Sequence, residues 1–192
     1  MKIKNTAIKE VKLIEHNSLI NNIEVKNDCK IIWQYDILKR FIDPDIKLFM
    51  CEYEKKIRKS NTLKGLYYNN NFRNSSLLIR CLKGRIYQVA VDIRNNSNTY
   101  KKWVGYELSS ENDLQMYIPK GFAYGLLSLE DDSIVQYISE SYLDEDGNKI
   151  INWNDYKIGI KWPDIPKYIN CRDKYAEGIE QIERNHGKNE NE

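Results

Sequence analysis

Few of the residue types that usually carry chemistry are placed to do so in this chain. Its two histidines, His16 and His186, stand one near each end, which leaves the middle of the domain without a histidine-ligated metal site. The four cysteines, Cys29, Cys51, Cys81 and Cys171, are widely spaced and form no CxxC pair; they read as reduced thiols. There is no glycine-rich phosphate loop, no nucleophile elbow and no triad containing histidine. The acidic clusters Asp131-Asp132 and Asp144-Glu145-Asp146 fall in apparent turns, where solvation accounts for them. What remains is phenol chemistry. Fourteen tyrosines and four tryptophans in 192 residues point to β-structure and to a cleft for a sugar or a base, although most such rings in any protein are core.

A chain of this length fits one domain and buries enough surface to need no staple. With a net charge of +2 it carries no dominant basic stripe, so no nucleic-acid partner is expected. Lys2, Lys4, Lys9 and Glu10 break the apolar N-terminal stretch, so no membrane span is expected, and the setting reads as cytoplasmic. The charged run Glu54–Lys59 reads as a solvated loop. Strands are expected at Leu77–Leu82, Ile86–Ile93, Trp103–Leu108, Leu114–Ile118, Ala123–Leu127 and Ile134–Ile138, with Gly84 turning a tight hairpin between the first two. Short strands at this spacing describe an all-β sandwich or jelly roll. One short helix is expected over 35–42 and another over 174–184, where Ala176, Ile179 and Ile182 recur three apart, followed by a polar tail.

Several long motifs then stand in order: Leu63-Lys-Gly-Leu-Tyr-Tyr68, Val91-Asp-Ile-Arg94, Ser97 to Gly105, Ile118-Pro-Lys-Gly-Phe-Ala-Tyr-Gly125 and Trp153 to Pro163. Together they resemble the dTDP-4-dehydrorhamnose 3,5-epimerase family over about residues 48 to 174, a far more specific signal than one short pattern. The resemblance implies a cupin-type jelly-roll β-sandwich or barrel with short flanking helices. It divides the chain into N-terminal strands and a short helix at 1–47, exchanged within a homodimer, a jelly-roll core at 48–174, and a C-terminal helix and tail at 175–192. It implies a nucleotide-linked 4-keto-6-deoxy sugar as partner and an isomerase chemistry of enolisation. The substrate's own ketone is then the electron sink, and no metal or redox cofactor is called for.

The resemblance also assigns residues. Tyr67 stands where the family's RGLHYQ segment has its basic histidine, Asp173 where an aspartate orients that histidine, and Tyr137 where a tyrosine is the general acid. Tyr124 replaces a second histidine, Gln88 an aspartate, Lys64 an arginine and Leu77 a lysine. Glu52, Arg80, Tyr142 and Arg172 complete the expected substrate-binding set. A phenol ionises near pH 10, so about one Tyr67 in a thousand would be phenolate at pH 7, and burial or a nearby Asp173 would reduce that fraction. Lys64, Arg80 and Arg172 are the cations that could reverse the trend. Other readings stay open: Asp173 as a helix N-cap, and Gln88 paired with Tyr124 inside the barrel. The functional expectation is a sugar-nucleotide epimerase of deoxysugar or surface-polysaccharide biosynthesis with altered or reduced catalysis. The alternative is a non-catalytic sugar-nucleotide-binding or structural dimer, the latter with its cleft filled by Tyr67, Tyr68, Tyr124 and Tyr137.

Overall fold

The computed structural model describes residues 2–15, 39, 44–45, 51–68, 75–140 and 149–181. Tyr142, the cluster at 144–146, both histidines and all but Lys39 of the helix expected over 35–42 lie outside the described residues. Two antiparallel sheets face each other. The first has the order β1 (Lys2–Asn5), β2 (Lys12–Glu15), β8 (Leu114–Ile118), β5 (Leu77–Lys83), β10 (Ser133–Ser139), β3 (Cys51–Ile57). The second runs β11 (Lys149–Ile150), β4 (Thr62–Tyr68), β9 (Phe122–Ser128), β6 (Arg85–Asp92), β7 (Trp103–Ser109), with β12 (Tyr168–Ile169) parallel to β4. One short helix, α1 (Cys171–Lys174), follows β12. Among the described residues no helix is long and apolar enough to cross a membrane.

The strands expected at β5 to β10 form within one or two residues of their places, and Gly84 turns the β5–β6 hairpin at φ 75°. Period-two alternation sorts their side chains. Ile79, Ile86, Leu108, Met116, Leu126 and Val135 meet between the sheets as the main core. The opposite face of the second sheet has its own apolar layer, in which Leu66, Val89, Val91 and Ala123 are roofed by Ile151, Ile158 and Ile179. Each fully buried aliphatic side chain contributes about 1.5–3 kcal/mol, so the C-terminal segment is held to the sheet as part of the fold.

Two expectations give way. The charged run begins inside a strand: β3 pairs with β10 from Cys51↔Ser139 to Ile57↔Ser133. It is the edge of its sheet, so Glu52, Glu54 and Lys56 face solvent while Tyr53, Lys55 and Ile57 point inward; charge on an edge strand deters pairing with another chain. Nor is the chain helical from 174 onward. It turns at Tyr175, runs without helix through 176–178, and becomes helical again at 179. The break follows from Asp155, whose Oδ2 accepts the Ile179 N–H at 2.8 Å and lies where a side chain on Gly178 would sit.

The Val91–Arg94 and Ser97 motifs form a clasp at the β6–β7 turn. The fully buried Asp92 accepts hydrogen bonds from Arg94 Nε (2.8 Å) and Nη2 (2.6 Å), Ser97 Oγ (2.6 Å) and Thr99 Oγ1 (2.6 Å). The Arg94 guanidinium lies 4.7 Å over the Phe122 ring. Burial alone would raise the Asp92 carboxyl pKa, but these donors outweigh it and hold it below the usual carboxylate value. A depressed folded pKa means that stability from this group is fully present above the unfolded value of about 4 and fades as pH falls through the folded one. Asp92→Asn is expected to cost about 2–3 kcal/mol at pH 7 in urea unfolding, with the difference from wild type shrinking below about pH 4.

Candidate active site

A cavity of about 440 Å³ opens between the sheets, walled by β3 and β10 on one side, β4 and β9 on the other, and closed by α1. Its placement depends on β4. Lys64 pairs with Leu126, but Tyr67 pairs with Tyr124, so β4 spends three residues where β9 spends two. This bulge resets the alternation, and Lys64 and Tyr67 both face the cavity. Gly65 sits in the bulge at φ 103°, and a Cβ there would meet the Tyr124 carbonyl oxygen at 2.7 Å.

The bulge also presents the Gly65 N–H to Asp173. Asp173 is fully buried, and its Oδ2 accepts from Gly65 N (3.1 Å), Tyr67 Oη (3.0 Å) and Asn170 Nδ2 (3.1 Å). Its Oδ1 has no hydrogen-bond partner among the described residues. Asp173 is not the cap of α1. Asn170 is, accepting the Asp173 N–H on Oδ1 at 2.7 Å. Burial raises the Asp173 carboxyl pKa above its ordinary value, against the opposing pull of Gly65, Tyr67, Lys64 and Arg172. Tyr67 is pushed well above the ordinary phenol value, first by burial and then by the Asp173 charge. The direction anticipated for this pair holds, and Tyr67 in the resting site is a neutral donor.

Three more phenols line the cavity. Tyr137 stacks on Tyr53 at 5.0 Å and 9°, directly across the β10–β3 ladder. Tyr124 meets Tyr67 at 6.0 Å and Tyr137 at 6.3 Å. Burial lifts the pKa of both Tyr53 and Tyr137 far above the usual value, so they too are neutral. Lys55, Lys64 and Arg172 bring positive charge to the walls from three different elements. At the rim Lys56 is paired with Asp132 at 2.9 Å. The four rings line an open space and do not fill it; Tyr68 turns away into the outer apolar layer. A cleft plugged by tyrosines is therefore not what the fold builds.

Of the residues expected in the site, Tyr67, Tyr137, Asp173, Lys64, Tyr124 and Arg172 come together here. Gln88 lies in the sandwich interior but does not pair with Tyr124. Its Nε2 donates to the Gly125 and Val89 carbonyls and its Oε1 has no partner among the described residues. Arg80 and Glu52 stand on the other face of their sheet, joined through Gln136, whose Oε1 accepts from Arg80 Nε and whose Nε2 donates to Glu52. The strand period sets this: Arg80 and Gln136 alternate with the inward Ile79 and Tyr137. Arg80 is thus not among the cations beside Tyr67. Sequence reasoning missed Tyr53, Lys55 and Asn170. The alternation through 51–57 could have found the first two, and an Asn three residues before Asp173 is a helix-capping signal.

The model of the dTDP-4-dehydrorhamnose 3,5-epimerase family matches residues 6–181. The chain belongs to that family. The dTDP-4-dehydrorhamnose 3,5-epimerase of Salmonella typhimurium is 38% identical over 125 residues, which span 64% of this chain and 68% of that one. The Escherichia coli enzyme is 44% identical over 103 residues, 54% of this chain and 56% of that one. The matched part thus spans two thirds of one curated relative and little over half of the other. Among solved structures, the dTDP-6-deoxy-D-glucose-3,5-epimerase of Legionella pneumophila, in complex with dTDP-4-keto-L-rhamnose, superposes with a TM-score of 0.83. Its identity is 27%, and the match covers 96% of this chain and 95% of that one. Membership of the 3,5-epimerase family bears out the resemblance and the cupin-type fold, and places the chain among isomerases.

The bulge in β4 should tolerate no side chain at its centre. Gly65→Ala is expected to lose about 2–3 kcal/mol in urea unfolding, through the positive φ and the contact with the Tyr124 carbonyl.

Proposed function

We propose that the chain epimerises a nucleotide-linked 4-keto-6-deoxy sugar by enolisation, in deoxysugar biosynthesis, with Tyr67 and Asp173 together as the base and Tyr137 as the acid. The observation that carries this is the hydrogen bond from Tyr67 Oη to the buried Asp173 Oδ2 at the floor of an open cavity. A standing phenolate at Tyr67 is costly, because burial and Asp173 both oppose it. A linked transfer avoids that state. As the carbon next to the ketone gives its proton to the Tyr67 oxygen, Tyr67 passes its own proton to Asp173 Oδ2. The electron pair of the broken C–H bond moves into the ketone, and the negative charge moves from Asp173 to the enolate oxygen. The raised pKa of Asp173 suits it to hold that proton. Lys55, Lys64 and Arg172 supply the positive field that an enolate and a diphosphate both need. Tyr137 then returns a proton to the opposite face of the carbon as the electron pair moves back from the enolate, and recovers its own from solvent, while Asp173 releases the proton it took to solvent. The Legionella complex with dTDP-4-keto-L-rhamnose supports the substrate class.

The strongly raised pKa of Tyr67 also favours a second reading, in which the cavity binds the sugar nucleotide without turning it over. Proton NMR of dTDP-4-keto-6-deoxyglucose in D₂O separates the two. Wild type is expected to erase the C3 or C5 proton signal, and Tyr67→Phe or Asp173→Asn to slow that loss by about 10²–10⁴-fold. A folded protein that binds the nucleotide sugar in calorimetry, yet leaves both signals intact for a day, would establish the second reading and sink the first.

A further inference from the structure

Asn170 contributes two contacts to Asp173 from a single side chain. Its Oδ1 accepts the Asp173 N–H at 2.7 Å, which fixes the amide orientation, and its Nδ2 therefore faces the carboxylate and donates to Oδ2 at 3.1 Å. Tyr67 and Gly65 donate to the same oxygen. Three donors thus converge on Oδ2 while Oδ1 has none among the described residues. An ordinary helix cap needs only the first contact. The second is surplus to capping, and it lands on the atom that would receive a proton from Tyr67.

We propose that Asn170 is a positioning residue for proton transfer, whose side-chain amide, clamped to the Asp173 backbone, holds the Asp173 carboxylate with Oδ2 in line with the Tyr67 hydroxyl. The inference rests on the enolisation reading above and adds to it the group that fixes the geometry of the base. Asn170 also acts on Tyr67: burial and the Asp173 charge raise the phenol pKa, and the Asn170 amide opposes them by favouring negative charge there. One neutral donor therefore serves the charge at both ends of the transfer, on Asp173 before it and near Tyr67 during it. The charged and titratable groups around Asp173 are Lys64 and Tyr67 from β4 and Arg172 from its own helix, with Tyr124 of β9 against Tyr67 and Lys55 of β3 across the cavity. Among the described residues the hydrogen-bond donors to Oδ2 are Gly65, Tyr67 and Asn170.

The test uses the full chain with Asn170→Gly and Asn170→Ser. Glycine is nearly as good a helix cap as asparagine but removes both contacts without adding charge, and serine keeps a cap and one donor. Carbon-13 titration of the Asp173 carboxyl, assigned with Asp173→Asn, is expected to move upward by about half to one unit in Asn170→Gly, because the carboxylate loses a donor. The pH profile of kcat for deuterium exchange should shift in the same direction. At neutral pH kcat should fall roughly tenfold, the effect of one hydrogen bond to a charged group, with little change in KM. Serine should recover part of each change. Unchanged Asp173 midpoints and superimposable pH profiles in both variants would overturn the proposal and leave Asn170 a helix cap alone. Absence of exchange in wild type would sink the enolisation reading separately, and the carboxyl titration would still decide whether Asn170 controls Asp173.

Discussion

One extra residue in β4 sets the geometry on which the site depends. A regular strand would put Lys64 and Tyr67 on opposite faces, because side chains alternate with period two and these positions are three apart. The bulge between them turns both into the space between the sheets and leaves Leu66 and Tyr68 in the outer apolar layer. It also frees the Gly65 N–H from the ladder and aims it at Asp173, so one local irregularity creates both the wall of the cavity and part of the anion's cradle. Glycine at 65 and at 125 makes the close approach of the two strands possible: a Cβ on Gly125 would meet the Lys64 carbonyl oxygen at 2.8 Å.

Around that bulge the site trades charge for neutral phenols. Burial keeps Tyr53, Tyr67 and Tyr137 protonated, and it raises the Asp173 carboxyl pKa against the opposing pull of converging donors and nearby cations. Such an arrangement stores no free base. In the proposed reaction, the proton taken from the carbon acid moves along the Tyr67–Asp173 hydrogen bond already in place. The Asp92 clasp, by contrast, uses a buried carboxylate fully satisfied by its neighbours, and it holds a turn. The two buried carboxylates differ in that both oxygens of Asp92 are satisfied, whereas Asp173 Oδ1 has no partner among the described residues and Asp173 lines open space.

The strands from Leu77 to Ser139 were legible because they are long in β-branched and aliphatic residues and are separated by turn residues. β3 was not, because on an edge strand the outward positions carry Glu and Lys, and the alternation of Tyr53, Lys55 and Ile57 hides among them. The helix expected over 174–184 is interrupted at 175–178 for a tertiary reason: Asp155, more than twenty residues earlier, caps a later start at Ile179, and 182–184 lie outside the described residues. Tyr67, Tyr137 and Asp173 were legible through the order of long motifs, whereas Arg80 and Glu52, also expected to bind substrate, are turned away by the strand period.

Sequence alone determined the class of fold, the family and the chemical inventory: a chain with no central histidine, many phenols, and motifs in a fixed order. Those properties depend on residue type and on spacing along the chain. Only the tertiary structure decided which of these residues meet. Tyr67 and Asp173 are 106 residues apart, and Gly65 and Asp173 are 108 apart. Their contact depends on a bulge in one strand and on the capping of a four-residue helix. The face a side chain presents reverses with a single inserted residue, and composition and local propensity do not register that insertion.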